Sequence, residues 1–134
     1  MKKGYYANIE TLTDENEHFR EVLYTGESLQ LVLMSLMPGE DIGVEVHEEN
    51  DQFFRFESGE GRVVINDAEY EVKDGDCIIV PKGSAHNIMN TSDEHPLKMY
   101  TLYAPPHHRD GILHSTKEYA ESHEEEFEGT TTEE

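Results

Sequence analysis

Cysteine is nearly absent from this sequence. Cys77 is the only one in 134 residues. No internal disulfide can form, and a reducing compartment is the simple reading. Basic residues are scarce: 10 Lys and Arg stand against 30 Asp and Glu, for a net charge of −20. A field of that sign repels phosphate and argues against DNA, RNA or an anionic membrane as partner. Cations, neutral molecules, or small anions held by a local positive centre are the expected ligands. Long apolar runs are missing too. The most apolar stretch, residues 29–37, is interrupted by Gln30 and Ser35, and about 20 apolar residues are needed to cross a bilayer. The start, Met1-Lys2-Lys3-Gly4-Tyr5-Tyr6-Ala7-Asn8, is basic with no apolar stretch behind it, so it does not read as a secretory signal. A cytoplasmic protein is expected.

Hydrophobic residues make up 35% and charged residues 30%, a slightly polar composition that suits one globular domain. Short β-branched and aromatic segments alternate with turn signals. Strands are expected over 19–24, 29–36, 44–47, 52–57, 62–65, 69–72, 77–80, 86–89 and 97–103. The punctuation includes Pro38-Gly39, Ser58-Gly59-Glu60-Gly61, Asn66-Asp67, Asp74-Gly75 and Pro105-Pro106. Many short strands and no long helix point to an all-β sandwich or barrel. Residues 1–18 read as an N-terminal arm, with 8–18 a loop or a single helical turn. The barrel spans 19–105, and a C-terminal arm and short helix span 106–126. Ser115 and Glu118 have capping-box spacing for a helix over about 116–126, docked by Tyr119 and Phe127. Residues 118–134 hold eight acids and no base, and 127–134 read as a disordered acidic tail with nothing to bury. Cys77, out of phase with the inner face, reads as a small packed residue.

The chemistry concentrates in two stretches. Glu45 and His47 are two apart, so on a strand they share a face. Gln52 follows after a four-residue acidic loop, where hairpin pairing brings it opposite the first pair. His86 comes just after the turn Pro81-Lys82-Gly83. Two imidazoles, a carboxylate and an amide oxygen form a mixed nitrogen/oxygen set. Such a set suits one divalent ion per chain, Zn, Fe, Mn, Ni or Co, and not Ca or soft Cu(I). Period two puts Phe54 and Phe56 on the face of Gln52, and Ile88 and Asn90 on the face of His86. These four are the expected pocket lining, although phenylalanines such as Phe54 and Phe56 are more often core than a substrate platform.

The spacing of these residues resembles the cupin family. Gly39, five residues, Glu45-Val46-His47, four residues, Gln52, six residues and Gly59 follow its first motif, with Glu45 and Gln52 replacing a His and a Glu. Gly75, five residues, Pro81-Lys82-Gly83, two residues, His86, three residues and Asn90 follow its second without departure. The resemblance covers about residues 20–105. It implies a double-stranded β-helix, or jelly-roll barrel, with a metal inside it, and Glu45, His47, Gln52 and His86 on the family's ligand positions. The small single-domain cupins grouped with phosphomannose isomerases look similar.

A fold of this kind hosts many chemistries. The resemblance implies a divalent-metal-dependent, isomerase-like enzyme on a small carbohydrate-like or keto compound. An Fe(II) or Mn(II) dioxygenase and a non-enzymatic ligand-binding or sensing cupin are the alternatives. A homodimer is expected from the resemblance and from exposed edge strands. His107, His108 and Arg109 follow Pro105-Pro106 and read as a rigid arm over the barrel or a partner, or as a lid that brings acid/base or anion-binding groups to the pocket mouth.

Overall fold

The computed structural model describes residues 1–133. Nine strands pair there in two antiparallel sheets. They are β1 (Arg20–Thr25), β2 (Gln30–Leu36), β3 (Asp51–Ser58), β4 (Glu60–Ile65), β5 (Ala68–Lys73), β6 (Cys77–Val80), β7 (His86–Asn90), β8 (Leu97–Ala104) and β9 (Leu113–His114). One sheet runs β6-β3-β8-β2-β1-β9 and the other β5-β4-β7. This is the all-β jelly roll that the sequence predicts. No described helix is long and apolar enough to cross a membrane.

Period two builds the core. Along β8, Leu97, Met99, Thr101 and Tyr103 all point inward and are buried. The register sets Leu36, Met34, Val32 and Gln30 of β2 beside them in turn. On the other flank, Phe56, Phe54 and Gln52 of β3 face Met99, Thr101 and Tyr103. The interior is therefore layered. Its middle is apolar and closed from the second sheet by Val63, Val72 and Ile88. Its end layer, Gln52–Tyr103–Gln30, is polar, and that end receives the histidines. Gly59 links β3 to β4 with a φ of 93°. A Cβ there would meet the Pro96 carbonyl oxygen at 2.4 Å, so only glycine allows the close approach.

Several expectations are corrected. Residues 44–47 form no strand. The stretch runs beside β7 through isolated bridges at Asp41–Met89 and Glu45–His86; Val44 to His47 alternate as a strand would, but β7 pairs with them at Glu45 alone, so no ladder forms. Leu113–His114 is a strand the sequence reading lacks. It is only two residues long and pairs with the start of β1. Residues 9–15 form a two-turn helix α1 (Ile9–Glu15), which needs the Asn8 side chain to accept from Thr11 N. Helix α2 (Lys117–Ser122) is shorter than expected and is capped by Thr116, not Ser115. Ala120, not Tyr119, is its buried residue. Cys77 is exposed. The acidic end is tied down: the Glu133 carboxylate accepts from Lys3 N at 2.7 Å, Gly4 N at 3.0 Å and Tyr24 Oη at 2.6 Å. Thr132 N donates to Thr25 O at 2.9 Å. Composition identifies the charge of this tail but not the backbone donors that meet it.

Candidate metal centre

Three chain segments converge at the polar end of the barrel. Glu45 and His86 exchange both backbone hydrogen bonds, at 2.9 and 3.0 Å, which fixes the first segment against β7. His47 O accepts from Gly83 N at 2.8 Å, so the turn of the second motif also holds the first. Glu45, His47 and His86 each bring one donor atom within 4.8 Å of the others. The Glu45 carboxylate lies 3.8 Å from His47 Nε2, and the two imidazole centroids are 5.2 Å apart.

Each donor is prepared differently. His86 Nδ1 lies 3.0 Å from Ser84 O. A carbonyl only accepts, so Nδ1 holds the proton and Nε2 keeps a free lone pair, the usual arrangement for a metal-ligating histidine. Burial lowers its pKa. His47 is buried, and its Nε2 has no hydrogen-bond partner. Burial, helped by His107, His86 and Arg20, holds this imidazole down to about 3, so it is neutral at any ordinary pH. Burial raises Glu45, against the pull of Arg20 and with the push of Glu124. A cation placed among these groups would relieve each of them. It would give the partnerless Nε2 of His47 a partner and favour the charged form of Glu45. The residues present therefore fit a divalent ion.

Gln52 occupies the polar layer. Its Nε2 donates to Thr101 Oγ1 at 3.0 Å, and its Oε1 is buried without a partner. That is a second unsatisfied acceptor in the same end of the barrel. The four residues expected to line the pocket behave otherwise. Phe54, Phe56 and Ile88 are sealed in the core, one layer below. Asn90 is a clamp, donating to Leu36 O at 3.0 Å and His95 O at 2.9 Å and accepting from Ser92 N at 2.9 Å. Period two assigns the inward face correctly but not the depth along it.

The arm supplies what the spacing of the motifs does not show. The His107 ring packs edge-on against His47, with centroids 4.3 Å apart. His108 is buried and shares a hydrogen bond of 3.1 Å with the Tyr103 hydroxyl. Gln30 fastens both: its Oε1 accepts from His107 N and His108 N at 3.2 and 2.9 Å, and its Nε2 donates to His108 O at 2.7 Å. Burial lowers the pKa of His107, and still further that of His108. Burial also holds the Tyr103 hydroxyl far above its ordinary value, so it stays protonated. Arg109 is exposed and pairs with Glu125 at the surface. Two openings reach the cluster. One of about 340 Å³ runs along His47, Asn50, Pro106, His107 and Phe127. The other is bounded by Arg20, Glu45, His47 and His107.

The Cupin domain family model (Cupin_2) matches residues 32–103. The chain belongs to the cupin family. It is similar to the uncharacterized protein YrkC of Bacillus subtilis (strain 168), 44% identical over 121 residues, which cover 86% of this chain and 64% of that protein. The cupin thus spans somewhat less than two thirds of YrkC. The uncharacterized protein L612 of Acanthamoeba polyphaga mimivirus is 40% identical over 112 residues, covering 81% of this chain and 70% of that one. The crystal structure of BH2720 from Bacillus halodurans superposes with a TM-score of 0.88 at 42% identity, covering 90% of this chain and 96% of that chain. Glu45, His47 and His86 lie together at one end of this cupin jelly roll.

Proposed function

We propose that this cupin binds one divalent metal ion through Glu45, His47 and His86, with the Gln52 amide oxygen as a fourth donor. We propose further that it acts on a small keto or carbohydrate-like compound. The observation that supports this most directly is the buried, partnerless Nε2 of His47 beside a carboxylate and a second imidazole with its lone pair free. When bound, such an ion supplies Lewis acidity toward a carbonyl or hydroxyl oxygen. The remaining chemistry belongs to the chain. Tyr103 keeps its proton and, with His108, forms a hydrogen-bonded pair beneath the site. His107 is neutral and half-buried, and can accept a proton from a compound entering from the arm side. An isomerase-like proton transfer between adjacent carbons, in the manner of the phosphomannose-isomerase-like cupins, fits a neutral base beside a Lewis-acid position.

A dioxygenase is the second reading, favoured by the donor set itself. Two histidines and one carboxylate leaving open positions are the ligands of many non-haem Fe(II) oxygenases. A ligand-binding cupin without turnover is the third. Metal analysis by mass spectrometry on protein purified under inert gas separates them. About one zinc per chain with no oxygen uptake supports the first reading, and iron with substrate-dependent oxygen uptake supports the second. His47→Ala and His86→Ala should each abolish tight binding. Unchanged metal content in either variant refutes the site. A homodimer remains part of the proposal, supported by the open edges of β5, β6 and β9. Sedimentation at low and high salt tests it, and a monomer in both conditions refutes it.

A further inference from the structure

Arg20 opens β1, with Met34 of β2 and His114 of β9 as its register partners. It is 8% exposed, and its charge is poorly compensated. The guanidinium lies over the Phe19 ring, with Cζ 5.2 Å from the centroid, and Nη1 donates to His114 Nδ1 at 3.4 Å. A guanidinium only donates, so Nδ1 accepts and His114 contributes no negative charge. Nε is buried without a partner. Among the described residues, no carboxylate oxygen lies within 4.0 Å of the guanidinium. A buried charge without a counterion is unfavourable, and arginine cannot escape the cost by losing its proton. Glu45 is close enough to feel Arg20 but turns Oε2 to His47. Glu125 is taken by Arg109, and Glu124 and Glu126 are exposed.

Arg20 shares a cavity of about 270 Å³ with Glu45, His47, His107, His108 and His114, roofed by residues 124–126. At about 30 Å³ for each water-sized group, that is room for roughly nine. The geometry points to a small carboxylate as the occupant, its anionic end on the Arg20 guanidinium and a second oxygen turned toward Glu45, His47 and His86. One planar guanidinium edge matches one carboxylate. A phosphate ester, with nearly twice the charge, would meet Glu45 and the acidic rim with a single cation to offset them. Only the second half of this assignment rests on the metal reading. The first half is a property of Arg20 alone.

Calorimetric titration of the metal-stripped chain with pyruvate and with neutral pyruvamide separates the two. Pyruvate should bind at least tenfold more tightly than pyruvamide. Arg20→Gln should erase that preference, while its metal content after reloading equals that of the wild type. Equal affinity for the two compounds, a preference that survives Arg20→Gln, or inorganic phosphate binding more tightly than pyruvate overturns the assignment. If Arg20→Gln does not fold, the wild-type ratio decides alone. A chain that takes up no metal yet prefers pyruvate defeats the metal reading and upholds this one. A metal-binding chain without the preference does the reverse.

Discussion

Acid should destabilise the metal-free protein through His47, and the size of the effect can be worked out. In the unfolded chain His47 titrates near its ordinary 6.5. In the folded chain burial holds it down to about 3. Below pH 6.5 the unfolded state therefore takes up a proton that the folded state refuses. The contribution of this group to stability is complete above 6.5 and is lost as pH falls toward 3. At about 1.4 kcal/mol per pH unit, the loss between pH 7 and 4.5 is about 2–3 kcal/mol, a sizeable part of the roughly 5–15 kcal/mol that holds a domain together. Many carboxylates also titrate in this range, so the wild type alone is uninformative. The difference between wild type and His47→Gln isolates the group. Urea unfolding followed by circular dichroism in the presence of a chelator should show that difference moving by about 2–3 kcal/mol in favour of the variant from pH 7 to 4.5. A difference that stays constant with pH would refute the buried, neutral state of His47.

Three further outcomes follow from single contacts. Gln30→Leu leaves the His107 and His108 amides and the His108 carbonyl without their partner, and should cost about 2–4 kcal/mol; hydrogen exchange should quicken first over residues 107–109, and unchanged exchange there refutes the role of Gln30. Gly59→Ala brings a Cβ to 2.4 Å from the Pro96 carbonyl oxygen at a φ of 93°, and should destabilise by about 2–4 kcal/mol in chemical unfolding, a neutral result contradicting the close approach. Gln52→Leu removes an acceptor that lacks a partner together with the hydrogen bond to Thr101; the two effects oppose, so the metal-free variant should be within about 1 kcal/mol of the wild type and bind metal about tenfold more weakly, and undiminished affinity removes Gln52 from the donor set.

The fold was legible because most of the strands carry their own punctuation. Between residues 52 and 103, alternation and turn residues locate β3 to β8 to within about two residues, since each strand buries one face and ends where glycine, proline or asparagine reverses the chain. Legibility failed where structure depends on a distant partner. Residues 44–47 look like a strand by composition, but the ladder beside β7 forms only at Asp41 and Glu45. Leu113–His114 is too short to have a pattern and exists as a strand because β1 lies alongside it. Residues 131–133 carry no apolar group, and hydrogen bonds from Lys3, Gly4, Tyr24 and Thr25 hold them in place all the same.

The same division runs through the site. Glu45, His47 and His86 stand at spacings that sequence can register, and the exchange of backbone bonds between Glu45 and His86 explains why two motifs some forty residues apart meet. Arg20, Gln30, Tyr103 and His107 have no such spacing. They converge because β1, β2 and β8 are neighbours in one sheet and the chain leaving β8 turns back over its end. The two groups face opposite demands. The motif residues offer lone pairs and negative charge, which suit a cation. Arg20, held close by the pairing of β1 with β9, offers permanent positive charge in the same cavity. A bare cation would meet repulsion from Arg20, and an anion held on Arg20 alone would leave the carboxyl of Glu45, raised by burial, without a cation to pair with. An ion and a small anionic molecule together leave neither charge uncompensated, so occupation by the pair is the state this arrangement favours.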